Sequence, residues 1–137
     1  MTKFEGKHSD LTGKILGAFF QAHKELGYGF SEKVYENALV HLLREFDLKV
    51  EQQKPIIIYF HGQVVGEYIA DVLVNDIVLL ELKAVQNIVD QHIAQLLNYL
   101  KATEIEVGLL LNFGPKAEFK RKVYDNERKG TLSWITK

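Results

Sequence analysis

Two aliphatic runs joined by a short turn constrain this chain more than any other feature of its sequence. The first run covers residues 68–74 and the second covers residues 78–84. Both have the composition of buried strands, and Asn75-Asp76 between them is typical of a tight turn. The pattern predicts an antiparallel hairpin whose second strand is buried on both faces.

Three charged side chains interrupt these runs: Asp71 in the first, Glu81 and Lys83 in the second. Burying a charge costs free energy unless the charge is paired or binds a metal ion. Glu81 and Lys83 are two residues apart and therefore share one face of their strand. The charges could form a structural ion-pair network or, if all three converge, a metal site, and the charges alone leave both alternatives open.

The length of the turn decides whether Asp71 joins the other two charges. A two-residue turn pairs Val74 with Ile77, and it places Asp71 opposite Leu80 on the wrong face. A three-residue connection or a bulge places Asp71 directly opposite Glu81. A joint site therefore requires the second register, which a structure can test.

Convergence of the three charges would create a site made of oxygen ligands. Two carboxylates and a backbone carbonyl, most simply that of Leu82, suit Mg²⁺ or Mn²⁺. Such a metal lowers the pKa of a bound water and neutralises a phosphate oxygen. Lys83 could orient or deprotonate that water, or stabilise charge on the phosphorus. Such a site could support attack of a metal-bound water on a phosphate group.

Helices and strands are predicted on both sides of the hairpin. The helical spacing of apolar residues, with Ser9 or Asp10 and then Ser31 as caps, predicts helices over residues 9–26, 31–46 and 87–101. Strands are predicted over residues 50–60, 64–74, 77–85 and 107–113, followed by a polar, mixed tail from residue 116. We expect an α/β fold in a single domain, residues 1–137, with a mixed four- or five-stranded sheet flanked by helices.

The spacing of the three charges, and two further motifs, resemble the PD-(D/E)xK nuclease superfamily. Ala70 stands where that superfamily usually has proline before Asp71. Residues 95–99 resemble a QxxxY signature that some branches carry on the following helix, and residues 29–35 resemble the motif of the GxxExxY family. The likeness covers about residues 10–125.

The resemblance implies a restriction-endonuclease-like core and a nuclease that uses Mg²⁺ or Mn²⁺ to cleave DNA or RNA. Lys83 would be the catalytic lysine, and Glu32 would complete the metal site directly or through water. Gln95 would contact the metal-bound water or the phosphate, and Tyr99 would contact substrate. The metal ligands implied are Asp71, Glu81 and the backbone carbonyl of Leu82.

Each of these helical residues also has a purely structural interpretation. Glu32 can complement the dipole of its helix, and Gln95 with Tyr99 can be the polar edge of an amphipathic helix. We expect Tyr35 to lie in the core and Gly29 to adopt a positive φ angle.

The charge distribution offers one modest surface for nucleic acid. The whole chain has a net charge of −1, so it has no overall basic field, but residues 114–130 contain six basic and three acidic side chains. Within that segment Lys120, Arg121 and Lys122 are the expected substrate contacts, unless the segment is only a solvated tail. The resemblance implies that a homodimer or a partner protein extends this surface. The competing hypothesis is a non-catalytic nucleic-acid- or protein-binding module with a nuclease-like fold.

Composition excludes several other classes. The chain has no cysteine, which excludes disulfides, thiolate metal sites and a cysteine nucleophile, and fits a cytoplasmic location. No apolar run reaches the roughly 18 residues of a membrane span. Residues 1–5 lack the apolar core of a signal peptide, so we expect no secretion signal.

Overall fold

Five strands form one mixed sheet in the order β1-β2-β3-β4-β5. The strands are β1 (Val50–Phe60), β2 (Gln63–Val74), β3 (Val78–Lys83), β4 (Val107–Phe113) and β5 (Ala117–Val123). The helices are α1 (Ser9–Leu26), α2 (Glu32–Glu45) and α3 (Asp90–Ala102). This computed structural model describes residues 6–137, and the five residues on which the secretion-signal expectation depends lie outside that range.

The strand directions confirm the α/β class and the mixed sheet. Neighbouring strands are antiparallel except β3 and β4, which are parallel. A parallel pair needs a crossover connection, and α3 supplies it between β3 and β4. The architecture is consistent with the restriction-endonuclease-like core that the resemblance implies.

The sheet lies between two hydrophobic cores. Helices α1 and α2 pack on one face, against a set that includes Leu80 and Leu82, and α3 packs on the other face, against a set that includes Leu79 and Leu110. All residues of β4 and all but the last residue of β3 are buried. This explains the almost purely aliphatic sequence of both central strands, because each face of each strand meets a helix.

Two details of the predicted elements need correction. The N-cap of α1 is His8, with a φ of 56°, whereas Ser9 is already the first helical residue. The polar tail contains β5, a strand that the sequence analysis did not predict. Its four charged residues out of seven obscure a strand pattern, but charged side chains are common on strands at the edge of a sheet.

None of the helices described in residues 6–137 has the length and apolarity that a membrane crossing requires.

Candidate active site

The connection between β2 and β3 sets the register of the site. The paired residues are Val72 with Leu80, Leu73 with Leu79 and Val74 with Val78, so three residues form the connection. Continuing this register by one step aligns Asp71 with Glu81. The three-residue alternative is therefore confirmed, and the two-residue turn is wrong.

Asn75 and Asp76 explain the longer connection. Their φ angles are 53° and 56°, a left-handed conformation that Asn and Asp tolerate better than most residues. The Asn75 side chain also accepts the Lys49 backbone N–H at 2.8 Å, and its own N–H donates to Lys49 O at 2.8 Å. These bonds hold the turn against the start of β1.

At the site, side chains replace the backbone as hydrogen-bond acceptors between β2 and β3. The Asp71 N–H donates to Glu81 Oε1 at 3.2 Å, and the Leu82 N–H donates to Asp71 Oδ2 at 2.8 Å. Each carboxyl thus accepts a backbone amide of the opposite strand. The exchange fixes the two carboxyl groups side by side, just beyond the Val72–Leu80 pair.

An irregularity in β1 lies across from Asp71. The β1–β2 register passes from Gln52 with Val72 to Lys54 with Ala70, and the intervening Gln53 has a φ of 53°. Val72 contacts the α1 and α2 core, whereas Ala70 contacts the α3 core. The side-chain alternation of β2 therefore breaks at Asp71. Irregularities of this kind redirect side chains and are frequent beside active sites.

Glu36 is a neighbour of the site that the sequence analysis missed. Its side chain is almost fully buried and accepts hydrogen bonds from Gln52 Nε2 at 2.6 Å and from Gln53 Nε2 at 2.9 Å. Lys33 Nζ pairs with it at 3.0 Å. The available signal was its position four residues after Glu32, which places both carboxyls on one side of α2.

Four acidic side chains lie close together at this site, and among residues 6–137 neither Asp71 nor Glu81 forms an ion pair with a cation. Burial, followed by the charge of Asp71, raises the pKa of Glu81 to about 8. Burial also raises the pKa of Asp71, and the nearby charges of Glu36 and Glu32 act in the same direction, while the Leu82 N–H opposes them. A bound cation would relieve this repulsion.

The donor set fits a hard divalent cation that retains water. Asp71 Oδ1 and Glu81 Oε2 accept none of the hydrogen bonds formed by residues 6–137. No cluster of three or more His, Asp or Glu side chains suited to a metal occurs in that part of the chain. The protein would therefore contribute two carboxylates, and Mg²⁺ commonly completes such a shell with water and phosphate oxygens.

Lys83 and Glu32 lie near the carboxyl pair and act on it through their charges. Lys83 is half-buried at the end of β3, and its ammonium lowers the pKa values of Asp71 and Glu81. It forms no ion pair with any of residues 6–137, so its charge is available to a ligand. Glu32 is exposed in the first turn of α2.

Gln95 and Tyr99 lie on one face of α3, as their spacing predicts. Gln95 Nε2 donates to Tyr99 Oη at 3.0 Å, and the Tyr99 ring lies 5.3 Å from that of Tyr68. Burial raises the pKa of Tyr99, and the negative charges of Glu81 and Asp71 contribute. The side chains of α3 therefore border the carboxyl pair.

Asn112 fixes the chain immediately after Lys83. This fully buried amide accepts the Val85 N–H at 2.9 Å and donates to Val85 O at 3.0 Å. A β-carbon on Gly114 would overlap Val85 O, so glycine permits this close approach. We call Asn112, Gly114 and Val85 the clamp.

The three expected substrate contacts on β5 divide between the two faces of the sheet. Lys120 pairs with Leu110, which pairs with Glu81, so Lys120 lies on the α3 face about 10 Å from Glu81 across two strand spacings. Lys122 shares that face. Arg121 points to the opposite face and donates to Lys7 O. The three side chains therefore do not form one patch.

The GxxExxY segment has the structural features expected of it. Tyr35 is fully buried, stacks on Phe113 with 4.5 Å between ring centroids, and donates to Gly27 O. Gly29 has a φ of 125°. Both expectations are confirmed.

The raised pKa of Glu81 predicts an unusual dependence of stability on pH. The folded state holds a proton on Glu81 up to about pH 8, whereas the unfolded carboxyl loses it near 4.5. The free energy of unfolding should therefore fall as pH rises through this window, by roughly 2–4 kcal/mol from this group. Chemical denaturation of wild type and Glu81→Gln from pH 5 to 8 measures the difference. Glu67→Gln, an exposed carboxyl on β2, should retain the wild-type slope, and an equal slope in Glu81→Gln would contradict the prediction.

Comparisons with known proteins agree with this architecture. A family model described as the PD-(D/E)XK nuclease superfamily matches residues 9–122. The crystal structure of SSO0001 has a similar fold, with a TM-score of 0.56 and 18% sequence identity, over 90% of this chain and 63% of that chain. This chain thus spans less than two thirds of the length of SSO0001, and at such low identity the likeness concerns the fold alone. No curated protein matches the chain.

The matched segment extends from the start of α1 almost to the end of β5. It therefore includes the hairpin with Asp71, Glu81 and Lys83 and the helix with Gln95 and Tyr99. This chain belongs to the PD-(D/E)XK nuclease superfamily.

Proposed function

We propose that this protein is a divalent-metal-dependent nuclease that hydrolyses phosphodiester bonds of DNA or RNA. The observation that carries the proposal is the pair of carboxyl groups held side by side, with an unpaired lysine two residues after one of them. A structural network would be expected to pair that lysine with a carboxylate. Here Lys83 has no such partner within residues 6–137.

The roles follow from position and charge. Asp71, Glu81 and the carbonyl of Leu82 would bind Mg²⁺ or Mn²⁺, which when bound supplies an acidified water and neutralises a phosphate oxygen. Lys83 would hold or accept a proton of the attacking water and stabilise the charge that develops on phosphorus. Gln95 would orient the phosphate from α3.

Glu32 has a less direct role in this proposal. It is exposed, and it influences the pKa values of Asp71 and Glu81 only through its charge. It would therefore contact the metal through a water molecule. Membership of the GxxExxY family, a single domain over residues 1–137, a homodimer or partner protein and a cytoplasmic location also belong to this proposal.

The proposal predicts that metal binding at Asp71 and Glu81 is coupled to the release of a proton. Isothermal calorimetry with Mn²⁺ should show binding to wild type and none to Asp71→Ala/Glu81→Ala. At pH 7 Glu81 retains a proton, so binding should release about one proton, visible as heats that change with the ionisation enthalpy of the buffer.

Glu67→Ala is the matched control, because it removes an exposed carboxyl from β2 and should leave binding intact. Phosphate oxygens can complete a metal site, so the titration is repeated with a non-cleavable oligonucleotide. If wild type binds no metal in either titration, the nuclease proposal fails and the binding-module alternative replaces it.

A further inference from the structure

An open groove lies beside the carboxyl pair, between β2 and the exposed side of α3. Its volume is about 720 Å³. The side chains that matter for its chemistry are Tyr68, Gln91, His92, Gln95, Asn98 and Tyr99. None of them is Lys, Arg, Asp or Glu, so the lining consists of amides, an imidazole and two phenols.

This lining offers a phosphate group hydrogen bonds, such as those of Gln95, but no cation. Lys and Arg supply the electrostatic attraction to the nucleic-acid backbone, and this groove has neither. Amides carry both donors and acceptors and pair with the edges of bases, and aromatic rings stack on their faces. A neutral, planar ligand with hydrogen-bonding edges therefore fits the groove better than an anion.

The hydrogen bonds already present leave several groups free for such a ligand. Gln95 uses one N–H for Tyr99 Oη, and its carbonyl oxygen accepts no bond from residues 6–137. The Val89 N–H donates to His92 Nδ1 at 3.2 Å, so a neutral His92 carries its proton on Nε2, where it can donate. Gln91 and Asn98 are exposed.

The groove borders the proposed site of hydrolysis. Tyr68 precedes Asp71 by three residues on β2, roughly 10 Å along an extended strand. Its ring contacts that of Tyr99, and the pKa of Tyr99 responds to the charges of Glu81 and Asp71. A nucleotide whose phosphate lay at the carboxyl pair would thus have its neighbouring base near the two tyrosines.

We propose that this groove binds an unpaired nucleobase next to the scissile phosphate, so that the substrate is single-stranded nucleic acid. In a duplex each base is stacked on both faces and its pairing edge is occupied, whereas a single strand can place a base in the groove. The inference rests on the proposed nuclease function, because that function places a phosphate at Asp71 and Glu81.

Fluorescence anisotropy tests the inference with end-labelled oligonucleotides of about 12 nucleotides and Ca²⁺ as the divalent cation. Four oligonucleotides are compared: single-stranded DNA, single-stranded RNA, a blunt duplex, and an abasic strand with the same number of phosphates. Single-stranded DNA or RNA should bind at least about tenfold more tightly than the duplex and the abasic strand, since a stacked base contributes about 1–3 kcal/mol. The comparison of DNA with RNA identifies which of the two strands is preferred.

Variants show whether the groove is responsible. Tyr68→Ala should weaken single-strand binding about tenfold. Gln91→Ala/Asn98→Ala changes two exposed residues and should weaken it without affecting thermal unfolding. Tyr59→Ala is the matched control, because Tyr59 is a half-buried tyrosine that lines a different depression beside Trp134.

Equal binding of single strand and duplex, or unchanged affinity in both groove variants, would overturn the inference. Calorimetry with Mn²⁺, without and then with a non-cleavable oligonucleotide, tests the metal site separately. Metal binding without strand preference would reject the groove alone, whereas strand preference without metal binding would reject the nuclease and retain the groove.

Discussion

Lys83→Met should lower metal-dependent hydrolysis of a phosphodiester substrate by about 100-fold or more, because the variant loses the group that we propose assists the attacking water. The methionine retains most of the apolar stem of lysine, and Lys83 has no ion pair to lose within residues 6–137. Folding should therefore be almost unchanged. Removal of the ammonium should also raise the pKa values of Asp71 and Glu81 further and change the metal affinity, because protons then compete more strongly for the carboxyls while the ammonium no longer repels the metal.

Single-turnover rates at saturating Mn²⁺ separate loss of chemistry from a change in metal affinity. Lys54→Met is the control, since Lys54 is a partly exposed lysine on β1 whose ion-pair partner within residues 6–137 is Glu51. It should retain the wild-type rate. If Lys83→Met hydrolyses the substrate as fast as wild type at saturating metal, Lys83 is not a catalytic residue and the assignment is wrong.

Gly114→Ala should destabilise the protein by about 3 kcal/mol or more, because the new β-carbon would overlap Val85 O and come within 2.9 Å of Asn112 Nδ2. Both neighbours are fixed. Asn112 is fully buried and forms two hydrogen bonds with Val85, and His23 Nε2 donates to Gly114 O at 2.8 Å. Relief of the overlap requires the clamp to open, so urea denaturation should show a clear drop in the midpoint.

Gly17→Ala is the matched control for the glycine effect. Gly17 lies in α1 with no atom within 4 Å of its built β-carbon, so alanine should raise stability by roughly 0.5–1 kcal/mol. A Gly114→Ala protein as stable as wild type would show that the clamp does not constrain the end of β3. A destabilised but folded variant should also lose activity, since Val85 lies two residues after Lys83.

The local pattern of residues predicted the elements wherever burial dominates. The bounds of β1 and β4 agree with the prediction to the residue. For β4 a continuous apolar run ended by turn residues leaves little choice, and β1 ends in such a run at residues 56–60. The strand β5 was missed because its charged residues suit a strand at the edge of the sheet. The local sequence does not show that β5 lies at the edge. The cap of α1 was misplaced because His8 makes no side-chain cap hydrogen bond, so no capping residue type marks the start of the helix.

The alignment of Asp71 with Glu81 was predicted from the sequence, whereas one neighbour of this candidate site was missed. Asp71, Glu81 and Lys83 are visible in the sequence because charges stand out within aliphatic strands. The spacing of Glu36 from Glu32 places both on one side of α2, but it does not show that Glu36 is buried against two glutamines of β1. The burial of Glu36 depends on how α2 crosses the sheet, and no local sequence pattern encodes that crossing.

The reciprocal bonds between the two strands have a consequence for the relatives of this protein. Asp71 and Glu81 each satisfy a backbone amide that would otherwise lack an acceptor, so a relative without a metal site would keep a side-chain oxygen at both positions. An amide side chain supplies that oxygen without the burial cost and the repulsion of a carboxyl. Within such a lineage Asn and Gln would replace the acidic pair, and the two charges would distinguish relatives that bind metal from descendants that retain only the fold.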